Sequence, residues 1–329
     1  MNISVTGAAG HLGGFLVRDL LAQGHTVRAL VHHDGAALEG LAIDRVDGDV
    51  LDPAAVARLV DGAEIVYHLA ARIQLLIGEA EAVRAVNVEG TRNVVKACRA
   101  AGVRRLVHFS SIHAIEHEPR HGVVDETRDL VTRDAPTYGL TKAAGERVVM
   151  DAVRDGLDAV VVRPTGCMGP LDFRPSAIGQ ALLDMARGRV PALAEGGFNW
   201  VDCRDVVRSA IAAASLAKTG ERYILGGTWQ HIRETAALVH EVTGARTPRI
   251  VLPMWVAQAA VPFFEGYTRL TNKPVQLSYA SLHALRFHQK VDDGKARREL
   301  GHTSRPIRET MTDLFNWYRE TGRYPARAS

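Results

Sequence analysis

Eight residues near the amino terminus constrain this chain more than any others: Thr6-Gly7-Ala8-Ala9-Gly10-His11-Leu12-Gly13, directly after the strand-like run Asn2–Val5. A strand-like run, a glycine-rich turn and apolar residues at helical spacing over Leu12–Ala22 predict a strand-turn-helix unit. Gly7 permits the tight turn, Gly10 lets backbone amides approach a pyrophosphate, and Gly13 lets the helix lie close to the strand. The helix N-terminus then presents N–H groups and a partial positive charge to phosphates. The segment points to a dinucleotide site with Thr6, Gly7, Gly10, His11, Leu12 and Gly13 as candidate residues. The alternative is a glycine-rich turn without a ligand.

The first half of the chain repeats this rhythm. Thr26–Val31, Arg45–Val46, Ile65–Leu69, Leu106–Ser110 and Ala159–Arg163 read as strands, and Pro53–Val60, a long segment around Glu79–Ala100, and Pro136–Arg154 as the helices between them. Such alternation requires right-handed crossovers and a parallel sheet covered on both faces, an α/β doubly wound Rossmann architecture. After Pro164 the rhythm breaks into Gly- and Pro-rich loops, with strand-like pieces at Trp200–Val201 and Tyr223–Leu225. The expected division is a dinucleotide-binding domain over 1–165 with returning elements around 198–226, and a smaller substrate-binding domain over 166–197 and 227–329.

At 329 residues and 47% hydrophobic content, the chain can bury cores for both. Its 40 basic and 37 acidic residues are interspersed, so it lacks the concentrated basic face that a nucleic-acid partner requires. The start has no signal-like apolar run behind a charged segment. The longest uncharged stretch, Ile250–Phe264, is interrupted by Pro253 and Pro262 and is too short for a membrane span. Cys98, Cys167 and Cys203 are odd in number with no close pairing, which suits a reducing compartment, so a cytoplasmic protein is expected.

An acid at the end of the second strand would bind both ribose hydroxyls and select NAD. The chain has Val31-His32-His33-Asp34 there, with no acid at the strand end itself. That leaves room for a 2′-phosphate, with His32 or His33 as its partner when protonated, and tilts the expectation to NADP over NAD. Alternatively, both histidines face solvent in a loop.

Tyr138 and Lys142, in Tyr138-Gly139-Leu140-Thr141-Lys142, lie four residues apart and therefore on one helix face. A free phenol, with a pKa of about 10, is a poor acid–base group at neutral pH. A lysine ammonium and an oxidised nicotinamide would both favour phenolate and lower that pKa. Tyr138 would then donate a proton to a carbonyl in reduction or take one from a hydroxyl in oxidation, while Lys142 also holds ribose hydroxyls. The spacing alone arises by chance. Its place after the fifth strand, downstream of the glycine turn and of the strand-end pair Ser110-Ser111, gives it weight.

With these segments in view, the chain resembles the extended short-chain dehydrogenase/reductase family over nearly its whole length. TGAAGHLG, GDVLDP, YHLAA, the pair HFSS and YGLTK, and RPTGCMGP carry the resemblance. It is most similar to the dihydroflavonol-reductase and 3β-hydroxysteroid-dehydrogenase-like branches and to hopanoid-associated sugar epimerases. The resemblance implies Asp49, beside Val50, at the adenine edge, and Leu69, Ala70 and Ala71 along the adenosine ribose and pyrophosphate. It implies Pro164 and Thr165 beside the nicotinamide, and Asn87 in a proton relay. Asp49 has an alternative as a turn or cap before Asp52-Pro53, and Asn87 as an ordinary polar helix residue. The sugar-nucleotide pattern would place the catalytic hydroxyl at Ile112, which has none, whereas the dihydroflavonol-reductase-like pattern places it at Ser111. Sugar-nucleotide members usually carry a diphosphate-gripping arginine in an RDFVYVDDV-like segment. The matching stretch, Phe198 to Val206, has Phe198 in that place and Arg204 later.

His113, Glu116, His117, Glu118 and His121 cluster after the serine pair. Histidines four apart can bind zinc on a helix, but Pro119 and the loop-like composition favour a polar surface loop, and no metal is expected. No Gly-x-Ser-x-Gly elbow is present for hydrolase chemistry. Ile250–Phe264, with Met254, Trp255, Phe263 and Phe264, reads as a core helix of the small domain. The sharper alternative is a lid over an apolar substrate or a surface touching membrane. The expected activity is hydride transfer between NAD(P)(H) and a secondary alcohol or ketone, apolar or ring-shaped, with Tyr138, Lys142 and Ser111 carrying the chemistry. A small molecule is the expected partner, and a homodimer is compatible with it. The rivals are nucleotide-sugar epimerisation or dehydration with tightly held NAD, and a non-catalytic dinucleotide sensor, which has no need of Tyr138 and Lys142 together.

Overall fold

Strands β1 (Asn2–Thr6), β2 (Thr26–Val31), β3 (Asp44–Asp47), β4 (Ile65–His68), β5 (Arg105–Phe109) and β6 (Ala159–Pro164) alternate with helices α1 (His11–Ala22), α2 (Pro53–Val60), α3 (Ala80–Arg84), α4 (Thr91–Ala100) and α5 (Thr137–Arg154). The structure is a computed structural model that describes residues 1–32, 35–73, 79–119, 122–271, 277–286 and 289–326, without the side chains of 265 and 267–271. His33, Asp34 and His121 lie outside the described residues. The remaining elements are β7 (Gly166–Met168), α6 (Ala177–Ala186), β8 (Leu193–Ala194), β9 (Gly197–Asp202), α7 (Cys203–Leu216), β10 (Arg222–Leu225), β11 (Thr228–His231), α8 (Ile232–Thr243), β12 (Val251–Leu252), α9 (Met254–Thr271), α10 (Tyr279–Arg286), α11 (Gly294–Leu300) and α12 (Ile307–Glu320).

Among the described residues, seven parallel strands form the main sheet in the order β10-β6-β5-β4-β1-β2-β3. β6 is buried at every position, as a strand covered on both faces must be. α1 and α7 pack one face through Leu16, Val17, Val206 and Ala210. On the other face, Val56, Val94 and Val149 bring in α2, α4 and α5. The chain winds outward from β1 to β3, then returns to lay β4 on the other side of β1. Ligands of such sheets bind beyond the carboxyl ends of the strands at this reversal. The segments following β1, β4, β5 and β6 open onto that edge.

A second core gathers Met168, Leu183, Trp200, Val239, Val261 and Phe315. It is roofed by a three-stranded sheet, β11-β9-β7. Of the stretch 198–226, α7 and β10 return to the main sheet, whereas β9 belongs to this smaller one. α11 also returns: Ala296 and Leu300 join the main core, so 294–300 does not pack with the second unit to which the sequence assigns it. The long segment Glu79–Ala100 is α3, a π-helical turn over Ala85–Gly90, and α4. π turns concentrate at functional sites, and this one carries Asn87.

Candidate active site

The turn after β1 is shaped as a phosphate cradle. Gly7 has φ +70, and a Cβ there would lie 2.6 Å from the Ala70 amide nitrogen at the end of β4. A Cβ on Gly13 would fall 2.1 Å from the Gly7 carbonyl. A Cβ on Gly10 would meet only that carbonyl, at 3.2 Å, so the outer side of Gly10 stays open to a ligand. α1 starts at Gly10 with no side-chain cap and no acid in its first turn, which leaves its leading N–H groups and positive end for an anion. The cradle fits a pyrophosphate. The His11 ring is used elsewhere: Nε2 donates to the Pro170 carbonyl at 2.7 Å, tying the turn to the loop after β7. Leu12 packs on the main core, so His11 and Leu12 offer a ligand their backbone.

At the outer end of the crevice, His32 Nε2 lies 3.1 Å from Asp49 Oδ2, and Asp49 Oδ1 accepts from the Leu51 amide at 2.9 Å. Asp49 thus shapes its own turn and is paired with His32. Val50 is buried, and its carbonyl accepts from Asn93 Nδ2 at 3.0 Å. Arg45, ion-paired with Asp47 at 2.7 Å, lies against Gly35: a Cβ there would be 2.8 Å from its guanidinium. A cation therefore stands beside the turn after β2. Its placement depends on the β2–β3 register, which pairs Ala29 with Arg45, and that register was not legible in the sequence.

A buried chain of side chains joins the turn after β1 to α5, and its direction can be read from donor capacity. The Ala70 amide donates to Thr6 Oγ1 (3.2 Å), and Thr6 Oγ1 lies 2.7 Å from His68 Nδ1. His68 Nε2 lies 3.0 Å from Thr91 Oγ1, whose own proton goes to the Asn87 carbonyl at 2.8 Å. Thr91 must then accept, so His68 carries its proton on Nε2 and accepts from Thr6 at Nδ1. Burial, with Lys142 adding to it, lowers His68 to about 3 and keeps it neutral. Asn87 Nδ2 donates to Thr141 Oγ1 (3.0 Å) and to the Arg72 carbonyl (3.0 Å), while its Oδ1 accepts from the Arg72 amide (2.8 Å). Thr141 in turn donates to the Tyr138 carbonyl at 3.0 Å. Asn87 therefore ties the segment after β4 to the first turn of α5, and among the described residues no bond joins its amide to the Tyr138 phenol. His68, Thr91 and Thr141 were missed by sequence reasoning, although His68 stands in YHLAA at a strand end.

Ser111, Tyr138 and Lys142 converge. Ser111 follows β5 and caps the single turn Ile112–Ala114, accepting from the His113 amide at 3.2 Å. α5 reaches this turn because position 139 is glycine, where a Cβ would sit 2.6 Å from the His113 carbonyl. The Tyr138 phenol is thereby brought beside the Ser111 hydroxyl, which favours its ionised form. Ser110 is buried, and its Oγ has no partner among the described residues. Lys142 Nζ donates to the Phe109 carbonyl at the end of β5. Burial lowers this ammonium to about 8, with Glu146 opposing. Burial pushes the Tyr138 phenol up to about 12, with Ser111 pulling the other way. This corrects the expectation of a phenol lowered by Lys142: the ammonium is turned to a carbonyl, and loss of water around the phenol dominates. One turn beyond Lys142, Glu146 holds Arg163 in a fully buried pair, Oε2 to Nε 3.1 Å, which locks α5 onto β6. Pro164 and Thr165 continue from there, with the Thr165 amide donating to the Leu225 carbonyl at 3.2 Å.

Among the described residues, His113 and His117 do not form the polar surface loop that the sequence suggests. His117 is buried, and its ring meets that of His283 on α10 edge-on at 4.7 Å, while His113 meets Tyr138 at 6.2 Å. Burial, and then His283, lowers His113 to about 4 and His117 to about 3, so both are neutral aromatic surfaces at neutral pH. Among the described residues, no group of three metal-ligating side chains is arranged to hold an ion. Phe198 packs 4.8 Å from Trp200 against the second core. Arg204 is held by Asp202 (2.9 and 2.7 Å) and Asp313 (2.7 Å). Neither position presents a free guanidinium.

Residues 3–226 match the NAD dependent epimerase/dehydratase family. The chain is 37% identical over 327 residues to sterol demethylase protein B of Methylococcus capsulatus, covering 98% of this chain and 99% of that one. It is 33% identical over 344 residues to a 3 beta-hydroxysteroid dehydrogenase/Delta 5→4-isomerase of Mycobacterium tuberculosis, covering 96% and 90%. The crystal structure of gox2253 superposes with a TM-score of 0.86 at 31% identity, over 98% and 99% of the two chains. The chain belongs to the NAD-dependent epimerase/dehydratase family and is an NAD(P)-dependent oxidoreductase of the extended short-chain dehydrogenase/reductase type.

Proposed function

We propose that the protein reduces a ring-shaped or lipophilic ketone, and oxidises the matching secondary alcohol, in the crevice between the main sheet and the substrate-binding segments 166–197 and 227–329 less α11. The bound nicotinamide supplies or takes the hydride. Tyr138, protonated at neutral pH, is poised to give its proton to the carbonyl oxygen that Ser111 steadies. Lys142 holds the ribose hydroxyls while fixed to the end of β5. Thr6, Gly7, Gly10 and the leading amides of α1 take the pyrophosphate, Leu69, Ala70 and Ala71 border it, Asp49 and Val50 face the adenine, and Pro164 and Thr165 back the nicotinamide. His113 adds an aromatic face beside Tyr138 that suits a ring. The reducing compartment expected from three free cysteines is the cytoplasm.

The observation that carries the substrate class is the locking of Arg204 between Asp202 and Asp313, with Phe198 turned onto Trp200. A buried diphosphate without a guanidinium forgoes charge-assisted bonds of roughly 1.5–3 kcal/mol each. Calorimetric titration with UDP and dTDP tests this. No heat is expected, and binding that competes with a ketone substrate would replace this proposal with the epimerase or dehydratase alternative. For the cofactor, Arg45 beside the turn after β2 supports NADP, which should bind at least as tightly as NAD in parallel titrations. A strong preference for NAD would remove that role from His32 and Arg45.

A further inference from the structure

We propose that the outward face of α9 docks on the surface of an anionic phospholipid bilayer. Trp255, Ala259, Pro262 and Phe263 fall at the first, fifth, eighth and ninth positions of one helical stripe, and all four are exposed. Trp255 is 72% exposed and Phe263 79%. The helix cannot roll to hide them, because Ala257 and Val261 on its other side are buried in the second core. Ile250, just before the helix, adds a further apolar side chain that is 62% exposed.

Two observations choose the occupant. Arg246 and Arg249, on the approach to α9, are exposed and have no ion pair among the described residues. Over 244–264 the sequence holds Arg246 and Arg249 and no acid. Exposed aromatics flanked by cations match a lipid headgroup boundary, where Trp and Phe enter the apolar zone while Arg meets anionic headgroups. The mode is surface docking, since no described helix is long and apolar enough to cross a membrane. It does not depend on the substrate class proposed above.

Co-sedimentation with vesicles tests it, comparing pure phosphatidylcholine with phosphatidylcholine mixed with phosphatidylglycerol, and low with high salt. The protein should pellet with the anionic vesicles, less so at high salt. The double substitution Trp255→Ser/Phe263→Ser and the charge reversal Arg246→Glu/Arg249→Glu should each weaken binding by about tenfold or more. Both variants alter exposed side chains and leave Ser111, Tyr138, Lys142 and the glycine turn intact, so their turnover of a water-soluble ketone without vesicles should equal that of the parent, which separates this test from the catalytic proposal. Failure to pellet with anionic vesicles would overturn the proposal. So would unchanged pelleting of the Trp255→Ser/Phe263→Ser protein, or self-association in sedimentation velocity that this variant abolishes.

Discussion

Replacing His68 by Phe would cut the buried chain between the phosphate cradle and the catalytic helix while nearly preserving ring shape. The Thr6 hydroxyl, fully buried, loses its acceptor, and Thr91 loses the bond it accepts at 3.0 Å. An orphaned buried donor costs roughly 1–3 kcal/mol and the second lost bond roughly 1 kcal/mol, a total of about 2–4 kcal/mol. With about 2.1 cal/mol/K of unfolding entropy per residue over 329 residues, that is a fall in Tm of about 3–6 °C. Function should suffer on both sides of the break. The Ala70 amide rests on Thr6, so cofactor affinity should drop, and Thr91 supports the Asn87 turn beneath Tyr138, so kcat should drop as well. Thr91→Val breaks only the second half and should lower kcat with little change in cofactor affinity. Thr91→Ser keeps the hydroxyl and should restore it. The decisive measurement is a double-mutant cycle by thermal and denaturant unfolding. His68→Phe and Thr91→Val should be strongly non-additive, whereas additivity within about 0.3–0.5 kcal/mol would mean that the two residues do not act as one network.

Two further outcomes follow from the site. Gly13→Ala should destabilise the fold, because its Cβ would sit 2.1 Å from the Gly7 carbonyl, whereas Gly10→Val should fold normally and lose cofactor affinity. Thermal melts and cofactor fluorescence titrations separate the two, and a Gly10→Val protein with unchanged affinity would remove the cradle from the cofactor site. Because burial holds the Lys142 ammonium near 8, cofactor affinity should fall as pH rises through that value. Glu146→Gln, which removes the carboxylate favouring the charged form, should move this fall to lower pH. Affinity that stays flat well above pH 8 would show that the ammonium does not hold the cofactor.

The main sheet and the glycine turn were legible because both depend on local pattern: β-branched runs, helical spacing and three glycines within one turn. Tyr138 and Lys142 were legible because one helix turn sets their separation. Contacts between distant segments were not. His68 meets Thr6 across 62 positions and Thr91 across 23, and no periodicity reports such pairs. The small sheet was largely missed for the same reason, since β7 and β11 are short and obtain their partners from β9. The stretch Ile250–Phe264 reads as a core helix and one side of it is, with Ala257 and Val261 in the second core, but hydropathy does not say which side has a partner. Only Ala257 and Val261 are buried among its described helical residues, and Trp255 and Phe263 are exposed. The rise in the Tyr138 pKa was also out of reach, since burial is a property of the packed site.

In the proposed mechanism the Tyr138 phenol delivers the proton in ketone reduction. The most direct test compares kcat of Tyr138→Phe with the parent on one ketone, alongside cofactor titration of both. The kcat of Tyr138→Phe should fall about 10²–10⁴-fold with cofactor affinity nearly unchanged, because only the hydroxyl is removed. A Tyr138→Phe protein that turns over as the parent does would contradict it.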